Sequence, residues 1–142
     1  MSEATDAIVA AIGAQDAAIF TYGIAAAYAA AGRRSTLDEY LAEHRSRRDE
    51  LARLLAAAQV AVPVAAPGYV LPVEVTGPTG AVQAMLAAEQ DCARAWRSMV
   101  ERCDQPQQRG TAVAGLSDAA RRAATWRLAL RITPATVALP GT

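Results

Sequence analysis

The sequence predicts an all-α protein, a single antiparallel four-helix bundle with one long crossover. Apolar residues recur with alternating spacings of four and three along four segments, which is the pattern of helices that share one core. Glycine and proline lie between those segments, and the connections are short, long and short in chain order. A chain of 142 residues is long enough to bury one such core, so residues 1–142 are predicted to form one domain.

The predicted helices have recognisable ends. Gly32 is a natural residue to follow the first helix, and Thr36 begins a capping-box spacing for the second. Pro78 and Pro106 stand where the third and fourth helices begin, in the first turn, where proline is tolerated. The four helices are predicted at about 3–31, 36–59, 78–104 and 106–131.

The connection between helices 2 and 3 predicts the topology. Short connections make helices 1 and 2 one hairpin and helices 3 and 4 another. Residues 60–76 contain three prolines, which exclude a helix. Extended, that segment reaches roughly 60 Å, so it can return the chain along a helix about 36 Å long. Helices 2 and 3 are therefore predicted to be parallel. Part of the crossover is a candidate edge strand. Its apolar residues are expected to pack across the bundle, and these are Tyr69, Val70, Leu71, Val73 and Val75.

Composition and charge exclude several partners. The formal net charge is zero, which provides no long-range attraction to nucleic acid or to an anionic membrane. The N-terminus is acidic, unlike a signal peptide, and Gln15 and Asp16 are expected to prevent the first helix from spanning a membrane. The chain is therefore predicted to be cytoplasmic. Every basic residue is Arg and about a quarter of the chain is Ala, which is typical of a GC-rich, actinobacterial genome.

The two cysteines are predicted to be free thiols. Cys92 and Cys103 lie on one predicted helix, separated by roughly 16 Å at 1.5 Å per residue. A disulfide requires Cα atoms within about 7 Å, so the two cannot pair with each other. Buried free thiols fit a reducing compartment.

Three of the four predicted inward faces carry a polar residue near mid-helix. Gln15 lies on helix 1, His44 and Arg48 on helix 2, and Glu89 on helix 3. Counting residues from the shared end of the bundle places Gln15, Arg48 and Glu89 within roughly 6 Å of one level. A buried carboxylate must be paired or protonated, and Arg is the partner best shaped for it. We therefore predict a buried cluster in which Glu89 pairs with Arg48, Gln15 completes the hydrogen bonds, and His44 lies at the edge.

Several segments together resemble a known family. They are Gln15–Gly23, His44–Asp49, the loop Pro67–Pro72, Glu89 and Ala124–Arg127. In these the chain resembles the ferritin-like proteins, in particular the alanine-rich ferritin-like domain of unknown function found across actinobacteria. The resemblance covers nearly the whole chain. It implies a ferritin-like four-helix bundle, and it implies pairing of two copies through their first helices.

The resemblance does not extend to a metal site. Di-iron members of the ferritin-like group carry an inward Glu on each of two helices and a Glu-x-x-His on each of the others. Here Gln15 replaces the Glu of helix 1, Arg48 and Leu51 occupy the Glu-x-x-His positions of helix 2, and Glu89 alone remains. Helix 4 offers only alanines at this level, namely Ala119, Ala120, Ala123 and Ala124. No metal and no cofactor are therefore expected.

The other chemical candidates are interpreted as structural. His44 is the only His, which excludes a multi-His site, and it is interpreted as a hydrogen-bonded core residue. The charged run from Arg45 to Glu50 is interpreted as a solvated helix face, because its acidic residues offset the basic ones and no aromatic residues are interleaved with it. The pair Arg121 and Arg122 is interpreted in the same way. Four aromatic residues are candidates for lining a small apolar pocket: Tyr22, Tyr69, Trp96 and Trp126.

These observations support three hypotheses. The first is a non-enzymatic bundle, structural or protein-interacting and homodimeric, in which the small residues Ala25–Ala27 and Ala29–Ala31 allow close helix packing. The second is a binding protein for a small apolar or anionic ligand near Arg48 and the two Trp residues. The third is an oxidoreductase with an atypical metal site at Glu89 and His44, against which the missing ligands weigh.

Overall fold

The structure, a computed structural model, describes residues 2–142 and is an all-α four-helix bundle, as predicted. A short 3-10 turn, Ala31–Arg33, leads directly into the second helix. No strand is present in residues 2–142, so the prediction of an edge strand in the crossover is wrong. The helices are α1 (Glu3–Ala26), α2 (Arg34–Ala57), α3 (Pro78–Arg102) and α4 (Pro106–Ala129).

The observed first residues of the helices agree with the predicted ones better than the observed end of α1 does. The Ser2 side chain caps α1 by accepting a hydrogen bond from the Thr5 amide, and prolines begin α3 and α4 as predicted. The prediction that α1 continues to residue 31 is wrong, because it ends at Ala26 and a turn follows. The capping box expected at Thr36 is not used either, since the 3-10 turn already supplies the first turn of α2.

Contacts between the helices fix their directions. α1 is antiparallel to α3, because the Cys103 Sγ lies 3.9 Å from the Ala4 carbonyl and the Cys92 Sγ lies 3.5 Å from the Ala14 carbonyl. α2 is antiparallel to α4, and its early residue Tyr40 contacts the late residue Thr125 at 2.7 Å. α1 and α2 are also antiparallel, because Arg34 donates to the Ala26 carbonyl oxygen and Arg48 donates to Asp16. Helices α2 and α3 are therefore parallel and lie on one diagonal of the bundle, as the long crossover predicted. Both cysteines are free and buried, which confirms that they do not pair.

The crossover lies on the bundle as an extended chain. Four alternate side chains from Tyr69 to Val75 are half-buried, whereas Val70 between them is 99% exposed. An extended segment presents every second side chain to the surface on which it lies. The expected packing is therefore found for Tyr69, Leu71, Val73 and Val75, and it is wrong for Val70.

The core consists of two apolar clusters. One surrounds Trp96 and includes Ile12 and Leu51, and the other surrounds Trp126 and includes Leu37. Polar residues lie between the two clusters on the inward faces of the helices. Residues after α4 fold back on the bundle, where Gly141 has a φ of +85° and a Cβ on it would lie 2.7 Å from the Ala93 carbonyl oxygen. The tail therefore contacts α3 through a position that favours glycine.

The first helix is more apolar than the sequence interpretation allowed. By length and composition alone α1 is able to cross a membrane, with a mean hydropathy of 1.4 in its most apolar window, so the expectation that Gln15 and Asp16 exclude this is wrong. Half of that window is buried inside the bundle, and Gln15 and Asp16 are themselves buried. In this fold α1 is a core helix.

We predict that Gly115→Ala destabilises the protein by about 1–3 kcal/mol or more, because overpacking displaces well-packed neighbours. A Cβ at Gly115 would lie 2.3 Å from the Trp96 ring. Gly110→Ala on the same helix is the matched control, since nothing lies within 4 Å of its Cβ position. It should leave stability unchanged or raise it by up to about 1 kcal/mol. Urea unfolding measures both variants, and equal effects would contradict the packing described.

Candidate functional site

The two apolar clusters are separated by a group of fully buried polar side chains, here called the polar cluster. Every member is 0% exposed, and every helix contributes at least one of them. Burial of this many polar groups requires that they satisfy one another's hydrogen bonds. The members are Gln15 and Tyr22 from α1, His44 from α2, Glu89 from α3, and Arg122 and Trp126 from α4.

Glu89 lies at the centre of the polar cluster. Its Oε1 accepts a hydrogen bond from the Arg122 Nε at 2.9 Å. Its Oε2 accepts one from the Tyr22 hydroxyl, and the His44 Nε2 lies 2.7 Å from the same oxygen. Both carboxylate oxygens are therefore engaged, by groups from three different helices.

A second set of contacts surrounds these bonds. The Trp126 indole donates to the Tyr22 hydroxyl at 2.8 Å, which fixes the phenol between the ring and Glu89. On the other side Arg122 Nη1 lies 3.2 Å from a Glu43 carboxylate oxygen, and Arg121 holds that same carboxylate at 2.8 Å. A line of charge pairs therefore runs from the centre of the bundle to its surface.

His44 bridges two other members of the polar cluster. Its Nε2 lies 2.7 Å from the Glu89 Oε2, and its Nδ1 lies 2.7 Å from the side-chain amide of Gln15. Both ring nitrogens are therefore engaged, by groups from α3 and α1. Within residues 2–142, the Gln15 Nε2 and the Arg122 Nη2 are buried polar atoms of this cluster without a hydrogen-bond partner.

The surroundings also bias the ionisation of Glu89 and Tyr22. Burial alone would raise the pKa of Glu89, but the charges and hydrogen bonds of His44, Arg122 and Tyr22 outweigh it and hold that pKa below 4.5. Burial, reinforced by the Glu89 charge, raises the pKa of Tyr22 well above its ordinary value. Although burial acts in the opposite direction, Glu89 raises the pKa of Arg122. Glu89 and Arg122 are therefore a charged pair, and Tyr22 is a neutral donor.

The predicted pairing of Glu89 with Arg48 is wrong, although Gln15, His44 and Glu89 do lie together. Arg48 is partly exposed and donates from Nε to Asp16 Oδ1 at 2.7 Å, on α1. Its neighbour Arg47 extends to the other side and contacts Asp118 on α4 at 2.7 Å. The inward face of α2 passes between these two arginines at this level. His44, predicted at the edge, is therefore the central residue that α2 contributes.

The sequence interpretation missed Arg122, the actual partner of Glu89. It placed Arg122 on a solvated face and took four alanines, Ala119, Ala120, Ala123 and Ala124, as the residues of helix 4 at this level. Of these only Ala119 belongs to the buried face, which follows spacings of three and four, whereas the other three lie half-buried at its margin. Glycine and arginine at inward positions hid this face from a search for apolar residues. Its members are Ala112, Gly115, Ala119, Arg122 and Trp126.

The four aromatic residues predicted to line a pocket are separated. Tyr22 and Trp126 are hydrogen-bonded members of the polar cluster, whereas Trp96 packs in the other half of the core. Tyr69 packs against Phe20, with ring centroids 5.7 Å apart and ring planes tilted by 59°. It borders a recess of about 130 Å³ under the crossover. A separate cavity of about 400 Å³ lies between α3, α4 and the C-terminal tail.

The polar cluster does not fit the di-metal centre of the ferritin-like proteins that the sequence resembles. Such a centre needs carboxylates and imidazoles from four helices. Here the inward group of α4 is the Arg122 guanidinium, whose Nε lies 2.9 Å from Glu89 Oε1, and a cation is not a metal ligand. Within residues 2–142 no group of three or more His, Cys, Asp or Glu side chains is arranged to hold a metal ion. Glu89 is the one carboxylate of the polar cluster, and it is already paired with Arg122.

We predict that Glu89→Gln lowers the free energy of unfolding by about 3–5 kcal/mol near neutral pH, because it leaves the buried Arg122 charge uncompensated. Since folding lowers the pKa of Glu89 below 4.5, its contribution is complete above pH 4.5 and is lost as the pH falls through the folded-state pKa. The difference in unfolding free energy between wild type and variant should therefore narrow below pH 4.5.

Urea unfolding from neutral to acid pH measures this difference. The matched control is Glu101→Gln, which breaks an exposed pair with Arg97 on the same helix and should cost less than about 1 kcal/mol. A cost for Glu89→Gln that stays constant across the acid range would contradict the charged pair.

Comparison with known proteins assigns the chain to a family. A crystal structure of a conserved hypothetical protein from Mycobacterium tuberculosis is similar, with a TM-score of 0.87 and 32% sequence identity. The similarity covers 89% of this chain and 96% of that one. Among curated proteins, none matches the sequence. The sequence profile of a domain of unknown function, DUF4439, matches residues 7–142, and the chain therefore belongs to the DUF4439 family.

Proposed function

We propose that this chain is a non-catalytic bundle of the ferritin-like kind, which acts as a structural or protein-interaction module and lacks the di-metal site. The observation that carries the proposal is the pairing of Arg122 with Glu89 at the level where di-iron relatives project their ligands inward. The crossover between the parallel helices α2 and α3 supports the ferritin-like assignment. A guanidinium in that position supplies the positive charge that Glu89 needs, so the carboxylate is paired without a metal ion.

The geometry weighs against the two other hypotheses. An oxidoreductase with a metal at Glu89 and His44 would have to free Glu89 from Arg122 and Tyr22 and free His44 from Gln15. A ligand site beside Arg48 is not supported either, because Arg48 is paired with Asp16. The two Trp residues lie in different halves of the core, so they share no wall.

The absence of metal binding is the direct test of this proposal. Protein exposed anaerobically to Fe(II) and Mn(II) and then desalted should retain less than about a tenth of an equivalent, because the ligands for a closed site are missing. Plasma mass spectrometry measures the retained metal, with a di-iron protein treated in parallel as the positive control. One or two equivalents per chain, lost in Glu89→Gln, would contradict the proposal and favour the metal-dependent enzyme.

The outer face of α1 supports self-association. Between Asp6 and Arg33 the only charged residue is Asp16, which is 7% exposed and paired with Arg48. The exposed positions of α1 from Ala7 to Ala26 are the small residues Ala10, Gly13 and Gly23. A Cβ at Gly13 or Gly23 would meet nothing within 4 Å. Small residues let a second helix approach closely, so we place the homodimer contact on this face.

We predict that the wild type sediments as a dimer at the higher of two micromolar concentrations, and that Gly13→Arg shifts it to the monomer. A charged side chain at the centre of the α1 face would have to be desolvated in the dimer. Gly110→Arg is the control, since Gly110 is also exposed on a helix with open space around it. A wild type that stays monomeric at both concentrations would rule out the homodimer.

The proposal includes a location. Arginine without lysine and the high alanine content support an actinobacterial source. Two buried free thiols support a reducing compartment, the cytoplasm. A formal net charge of zero gives nucleic acid and anionic lipid no electrostatic advantage, so the expected partners are proteins, including a second copy of this chain.

A further inference from the structure

The cavity of about 400 Å³ between α3, α4 and the tail has a physical origin in the sequence. Four alanines face it, one from α3 and three from α4, where larger side chains would close the space between the helices. Tail residues from Ala135 to Thr142 form the remaining wall. The volume lies within the range of about 300–1,000 Å³ typical of small-molecule sites. The alanines are Ala93, Ala120, Ala123 and Ala124.

The tail wall of the cavity is apolar but incompletely covered. Val137 and Leu139 line the cavity and are 49% and 64% exposed, although the tail is folded against the helices. Apolar side chains on both sides of a cavity favour an occupant with an apolar body.

The charges of the cavity are unevenly paired. Arg94 pairs with Asp91, and Arg121 pairs with Glu43. Arg127 donates to the Pro134 carbonyl oxygen at 3.2 Å, and it takes part in none of the salt bridges formed within residues 2–142.

Glu89, which also lines the cavity, is already paired with Arg122. The cavity therefore has one positive charge, on Arg127, without an anionic partner in residues 2–142. That charge is complementary to a single negative charge on an occupant.

We propose that this cavity binds an aliphatic monocarboxylate of medium chain length, with its carboxylate on Arg127 and its chain along the alanine wall. A guanidinium and a carboxylate can form two parallel hydrogen bonds, and Arg127 has donors to spare. A dianion such as a phosphate monoester would need a second free cation, and Arg94 and Arg121 are paired. This inference does not depend on the role of the polar cluster or on the oligomeric state.

The first test titrates ¹⁵N-labelled protein with octanoate and follows the amide shifts by NMR. Saturable shifts should be confined to α3, α4 and the tail. Octan-1-ol, which has the same chain without the charge, should bind about tenfold more weakly, the effect expected for one hydrogen-bonded charge. Equal binding of the acid and the alcohol, shifts centred on the outer face of α1, or no saturable binding at millimolar octanoate would overturn the proposal.

Two variants locate the ligand. Arg127→Gln should weaken octanoate binding about tenfold and leave octan-1-ol binding unchanged. Arg102→Gln is the matched control, because Arg102 is exposed on α3 and does not line the cavity. Ala124→Phe should abolish binding of both probes by filling the space. If Ala124→Phe does not fold, the Arg127→Gln and Arg102→Gln pair decides alone, and equal octanoate affinity in those two variants would refute the site.

Discussion

The ion pair between Glu89 and Arg122 is the interaction around which the four helices are arranged. A carboxylate and a guanidinium with no solvent exposure each require partners, and those partners come from every helix of the bundle. Tyr22 and His44 take the second carboxylate oxygen, and Gln15 takes the far side of the His44 ring. Displacement of one helix by a single turn would leave several of these groups unpaired.

Such a network favours one arrangement of the helices more than it adds stability. A buried ion pair often contributes little compared with apolar residues of the same volume, because desolvation offsets the attraction. Alanine-rich helices, however, have few large side chains to define how far one helix slides along another. The polar cluster divides the core into the Trp96 half and the Trp126 half, and it fixes which residues face each other across that boundary. We infer that helix register is its main structural contribution.

Helix α4 carries two arginines, Arg122 and Arg127, that face different parts of the molecule. Arg122 faces the interior and pairs with Glu89, whereas Arg127 faces the cavity under the tail. Alanines on the same helix leave that cavity open. The buried ion pair and the cavity are therefore separate features of one helix.

The sequence by itself determined the fold class, the parallel arrangement of α2 and α3, and the burial of Gln15, His44 and Glu89. These follow from apolar periodicity and loop length, which are local or nearly local properties. Only the tertiary structure decided which arginine meets Glu89. Arg48 and Arg122 are both close to an inward face, and the rotation of α2 and α4 about their axes depends on packing between distant segments. The same is true of the cavity, since its third wall is a tail with no periodic pattern to predict where it lies.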